Sequence, residues 1–203
     1  MKKEVILVLI SEFADWESAF VAAALNGGLA DADPEGKIAP KYTVKTLSLT
    51  KDCAVSFGGL KVIPDYDIHS LPAEYAALIL VGGTSWRGPD TGLILPLVED
   101  ALAKDALIGA ICDASLFLGV NGFLNEVKHT SNTLKDLKTY KGTKYNNEVN
   151  YQEQQAVLDR NIVTANGTAF LEFTREILLY LEAYTPAEID KFYRLYKKGY
   201  HNQ

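Results

Sequence analysis

The residue of this chain best suited to covalent chemistry is Cys112, in the stretch GAICDASLFLGVNGFL (109–124). An apolar run, ALIGAIC, leads into it and a helical pattern over 114–120 leads out, so the chain passes from strand to helix across the cysteine. A side chain on such a turn is lifted above the carboxyl edge of a sheet, and crowding there requires small residues two before and two after it. Ala110 and Ala114 meet that requirement. The positive end of the following helix would point at the sulfur and favour thiolate over thiol. The same pattern fits equally well a small apolar thiol filling a buried strand, the usual fate of a free cysteine.

A displayed thiol needs a sheet beneath it, and short apolar runs alternating with longer helical patterns supply one. Such alternation marks an α/β fold with a mainly parallel sheet covered on both faces. VILVLI (5–10) reads as the first strand, followed by a helix over DWESAFVAAALNGG with Asp15 as N-cap and Gly27-Gly28 as its stop. YTVKTLSL (42–49) is a second strand, and CAVSFGGLKVIPD a hairpin turning at Gly58-Gly59. YAALILVGG (75–83) is a third strand ending in glycines; helical spacing over 93–104 precedes ALIGAIC. QAVLDRNIVTA reads as two strands turning at 159–161, 169–182 as a helix, and Pro186 opens a Tyr-rich terminal helix over 187–198. No linker appears, so 1–203 reads as one domain with 186–203 as a C-terminal helical extension.

The 203 residues suffice for one sizeable core, and 48% hydrophobic with 23% charged residues is an ordinary globular balance. A formal net charge of -6 argues against nucleic-acid or anionic-membrane partners, which need clustered Lys and Arg. Lys197-Lys198 reads as a solvated helix face. In MKKEVILVLISEFADWE an apolar run of about six residues meets Glu12, Asp15 and Glu17 in place of a cleavage site, so it reads as a strand and not as a signal peptide. No apolar run approaches the roughly 18 residues of a membrane helix. Two cysteines without a secretion signal point to a reducing cytoplasm and give little reason to pair Cys53 with Cys112. Dinucleotide and phosphate loops, CxxC and HExxH are absent, so neither a cofactor nor a metal is expected.

Several segments together resemble the ThiJ/PfpI family of the class I glutamine amidotransferase-like superfamily: VILVLISEFADWE, GGLKVIPD, LILVGGTSW, AICDAS, GFLNEVKHTSN and IVTANGTAFLEF. They follow the family's order and cover most of the chain. The resemblance implies a flavodoxin-like three-layer α/β sandwich, commonly a homodimer, with Cys112 as nucleophile on the elbow. Glu17 matches the acidic residue that reaches the cysteine and bonds its sulfur; by itself it is an ordinary first-turn Glu complementing a helix dipole. Gly83 matches the glycine whose N–H joins that of Asp113 in an oxyanion hole. His129 matches a histidine that approaches the cysteine as general base or thiolate partner, although a lone His is more often structural. Trp86 falls beside the same pocket as a wall or lid, or packs as a buried aromatic.

Two departures narrow the chemistry. The peptidase-like branch has histidine directly after the nucleophile, where this chain has Asp113, a residue able to cap the helix or orient His129. The late His-x-Glu pair of true glutaminases is also missing, since the C-terminus reads His201-Asn202-Gln203, and glutamine amidotransfer is not expected. The expectation is a cofactor-independent cysteine hydrolase or glyoxalase/deglycase-like enzyme acting on a small carbonyl or amide compound. The alternative is a cysteine-based redox sensor of the stress response with little turnover.

Overall fold

The structure is a computed structural model, and the residues described are 2–29, 32–33 and 35–202. Its seven-stranded sheet contains β1 (Lys3–Val8), β2 (Tyr42–Ser48), β5 (Tyr66–Asp67), β6 (Ala77–Leu80), β7 (Leu107–Ile111), β8 (Ala156–Asp159) and β9 (Ile162–Ala165). The order is β5-β2-β1-β6-β7-β9-β8, with every neighbouring pair parallel except β8 and β9. β3 (Ala54–Val55) and β4 (Lys61–Val62) form the expected hairpin, with Gly59 at φ 86° in its turn.

The apolar strands are continuous because both faces are covered. Val5 and Leu7 of β1 pack into one core with Val21 of α1 (Asp15–Ala22), Phe173 and Ile177 of α5 (Phe170–Tyr180), and Ile189 and Phe192 of α6 (Pro186–Lys198). Ile6 and Val8 point the other way, into a core with Val98 of α2 (Leu95–Ala103) and Phe117 and Leu118 of α3 (Asp113–Val120). One strand thus serves two layers, which makes a three-layer flavodoxin-like sandwich. The chain runs outward from β1 through β2 to β5, then crosses back over β1 to lay down β6, β7 and β9. The switch lies between β1 and β6, at whose carboxyl ends open α/β sheets bind ligands.

One local expectation needs correction. Asp15 is not the N-cap of α1; Ala14 holds that place while its N–H donates to Gly82 O at 2.9 Å. The Asp15 carboxylate instead accepts from Ser56 Oγ and from Gly58 N–H (2.8 Å), tying the hairpin to α1. The first helix ends in a π-helical turn, Ala23–Gly27, before Gly28 at φ 103°. The non-periodic stretches after β6 and before β8 hold short helical pieces not anticipated: 3-10 turns at Thr84–Arg87 and Pro89–Ile94, and α4 (Leu134–Thr139) capped by Thr133.

Candidate active site

β7 ends at Ile111 and α3 begins at Asp113, leaving Cys112 alone on the turn at φ 59°, ψ −130°. A non-glycine residue held there stores roughly 1–3 kcal/mol of strain and needs support on both sides. Cys112 N–H donates to Ala165 O (3.0 Å), and its carbonyl accepts from Ser115 N–H (3.0 Å) and Ser115 Oγ (2.6 Å). Ala110 and Ala114 are fully buried beside it. Two glycines complete the fit. A Cβ on Gly82 would lie 2.6 Å from both Cys112 Cβ and Ile111 O, and one on Gly167 would lie 2.8 Å from the sulfur.

Glu17 comes to this turn from the start of α1, with none of its surface exposed. Neither carboxyl oxygen has a hydrogen bond of full geometry; Gly82 N–H and the Cys112 thiol are the polar groups that face it. Burial raises the Glu17 pKa to about 7, against the weaker opposing pull of those two groups. Burial and then the Glu17 charge push the Cys112 thiol up to about 11, while the Asn132 amide and Asp113 N–H favour the thiolate. The helix-end effect expected at Cys112 is thus present but outweighed. Glu17 and Cys112 behave as a pair that holds one proton tightly and loses the other around neutrality.

His129 does not join them. Its ring is wholly buried, with Nδ1 against Val127 O and Nε2 against Tyr145 Oη, both at 2.8 Å. Both nitrogens are therefore occupied, and burial lowers the imidazole pKa. The approach to the sulfur expected of His129 is made by Asn132, whose Nδ2 donates to Cys112 Sγ at 3.3 Å. Asp113 does not orient His129 either. Its carboxylate takes a bidentate pair of bonds from Arg87, Nε at 2.6 Å and Nη2 at 2.9 Å, and accepts from Asn132 Nδ2 at 3.4 Å.

The sequence model of the DJ-1/PfpI family matches residues 3–179 of this chain, a span that includes every residue of the site just described. The chain belongs to the DJ-1/PfpI family. Relatives in Bacillus subtilis (strain 168) carry the names uncharacterized protease YdeA, 38% identical over 202 residues and covering 100% of this chain and 94% of its own, and uncharacterized protease YoaZ, 35% identical over 196 residues (96% and 91%). Among solved structures, a thiJ/pfpI family protein from Bacillus anthracis superposes with TM-score 0.86 at 33% identity, covering 97% of this chain and 91% of the other. The DJ-1 superfamily protein Atu0886 from Agrobacterium tumefaciens gives TM-score 0.82 at 33% identity, covering 97% and 99%.

Within this DJ-1/PfpI domain the remaining expected residues sort by their packing. Trp86 is not a pocket wall: it is 4% exposed, donates Nε1–H to Val81 O at 2.5 Å and packs on Phe117 with ring centroids 4.9 Å apart. Trp16, next to Glu17, is 47% exposed and donates Nε1–H to Gly167 O at 3.2 Å. Gly83 is a glycine for steric reasons, since its missing Cβ faces Glu12 O and Phe13 Cα. A cleft of about 420 Å³ opens beyond Asn132, lined also by Ser131, Thr133, Gln154 and Asn166; one of about 450 Å³ lies among Glu12, Ser56, Phe57 and Thr84. Among the described residues no group of three or more His, Cys, Asp or Glu is placed to hold a metal, and no helix is long and apolar enough to cross a membrane.

Proposed function

We propose that this DJ-1/PfpI protein is a cofactor-independent cysteine enzyme acting on small carbonyl or amide compounds, in the manner of a glyoxalase, deglycase or hydrolase. The observation that carries this reading is the wholly buried Glu17 carboxyl, without a full hydrogen bond, beside a sulfur on a strained elbow. In the monoanion the proton resides on Glu17 when the sulfur is thiolate. The thiolate adds to the carbonyl carbon, the C=O π electrons move to oxygen, and Asp113 and Gly83 N–H groups hold that oxyanion. Glu17 then gives its proton to the oxygen. As carboxylate it removes the carbon-bound proton of an α-oxoaldehyde or activates a water, steps that suit an acid with pKa about 7. With both nitrogens of His129 engaged elsewhere, Glu17 is the proton carrier.

The test is turnover of methylglyoxal and of a panel of small amides by native protein, Cys112→Ala and Glu17→Gln. A loss of about a hundredfold or more in both variants is expected on whichever substrate the native protein consumes. Full activity in Cys112→Ala refutes the mechanism.

The same unbonded carboxyl supports a second reading, a redox sensor. Two peroxide molecules would each pass one oxygen to the sulfur and leave as water, and the sulfinate would accept a hydrogen bond from protonated Glu17. Two added oxygens on Cys112 after mild peroxide, without turnover in the panel above, select this reading; an unmodified thiol removes it. As partner we propose a second copy, in a reducing cytoplasm. The exposed Phe57, Leu60 and Ile63 of the hairpin support an interface, and a native protein that sediments as a monomer would contradict it.

A further inference from the structure

The side-chain amide of Asn132 has one orientation open to it. Its Oδ1 accepts from Gly167 N–H at 2.9 Å, so Nδ2 is turned toward Cys112 Sγ (3.3 Å) and Asp113 Oδ1 (3.4 Å). Asp113 is in turn gripped by both Nε and Nη2 of Arg87, which stands on the 3-10 turn directly after Gly82-Gly83. Arg87 Nη2 also lies 3.9 Å from Asp136 of α4. A single chain of polar contacts thus links the carboxyl ends of β6 and β7 with the loop that enters α4, and it terminates on the sulfur.

We propose that Asn132 is a catalytic hydrogen-bond donor, to the Cys112 thiolate first and to the substrate oxyanion after addition. The Arg87–Asp113 pair is the positioning clamp that aims this amide while offsetting the carboxylate charge beside the nucleophile. This rests on the reading of Cys112 as nucleophile. It accounts for an acidic residue directly after the cysteine: an unpaired Asp113 would hold the thiol protonated, whereas a bidentate guanidinium neutralises it and leaves an oxygen to accept from the amide. An amide also does not titrate. Of the groups facing the sulfur, Glu17 from α1, Asp113 from α3 and Asn132 from its loop, Asn132 stays a donor at every pH. Arg87 is 48% exposed on its side chain, so the pair adds little to stability and its importance lies in where it holds charge.

The experiment follows alkylation of Cys112 by iodoacetamide across about pH 5 to about pH 10, with exposed Cys53 of the same molecule as control. Asn132→Ala is expected to slow Cys112 about tenfold near neutral pH with Cys53 unchanged, the effect of losing one hydrogen bond to a charged group. Asn132→Asp keeps the acceptor for Gly167 N–H, so it should fold as the native chain does, yet slow Cys112 further by placing charge on the sulfur. Arg87→Met should move the profile to higher pH, and Arg87→Met/Asp113→Asn should move it back, a recovery that loss of structure would not give. Native rates in both Asn132 variants, or a double variant slower than Arg87→Met, overturns the inference. Native Cys112 that resists alkylation while Cys53 reacts overturns the nucleophile reading itself, and the inference with it.

Discussion

Glu17 takes its pKa of about 7 from burial, up from 4.5, so between those values the folded protein keeps a proton that the unfolded chain has released. Its contribution to stability is fully present below about pH 4.5 and is lost as pH rises through about 7. Across that range the loss amounts to about 3 kcal/mol. Glu17→Gln keeps the shape and removes the charge. Denaturation with urea should find it equal to the native protein near about pH 4 and more stable by about 3 kcal/mol near about pH 8. Equal stability at both would mean that Glu17 ionises normally in the fold. Of the residues at this site, Cys112 was legible in the sequence from its strand-to-helix junction, and Glu17 only through the family resemblance, since alone it reads as an ordinary first-turn acid. Asn132 was not, since an amide in KHTSN reads as loop punctuation and the histidine three positions earlier draws the eye. Burial decided between them: Tyr145 and Val127 enclose His129, and only the exposed end of that segment reaches the sulfur.

The two-residue edge strand β5 (Tyr66–Asp67) was not legible, but the longer strands were, in order and within a few residues at their ends, because a two-face-buried strand is a continuous apolar run between punctuating residues. The elbow followed from it. What lay hidden were the pieces held by contacts distant in sequence, above all the turn Thr84–Arg87. Its stretch GGTSWRGPD has no period, and it is held by Ser85 Oγ donating to Ser11 O (2.5 Å), by the buried Trp86 and by Arg87 on Asp113. Asp15 reads as an N-cap for a related reason, since the partner of its carboxylate is a hairpin some forty residues on, Ser56 and Gly58. The junction of β6 with this turn is also closely packed. Gly82→Ala should cost at least about 2 kcal/mol, because the added Cβ meets Ile111 O and Cys112 Cβ at 2.6 Å and a backbone carbonyl cannot turn aside. Thermal denaturation of the variant checks this, and an unchanged midpoint would show that β6 and β7 are spaced more widely at their ends.

At the scale of the whole molecule the active centre is a product of topology. Residue 17 follows β1 and residue 112 follows β7, and they meet because the chain reverses direction across the sheet between β1 and β6, bringing three strand ends to one edge. α6 lies beyond the residues matched by the family model, yet Ile189 and Phe192 complete the core on which α1, and so Glu17, is seated. The central claim is that this assembly makes Cys112 and Glu17 one ionising unit. The measurement that tests it is the rate of Cys112 alkylation against pH in the native protein and in Glu17→Gln. The native profile should rise in two steps, the first near 7 where Glu17 titrates and the second toward 11 where the remaining proton leaves, and Glu17→Gln should show a single step. A native profile with one step at the pH where Cys53 reacts, unchanged by Glu17→Gln, would contradict the account.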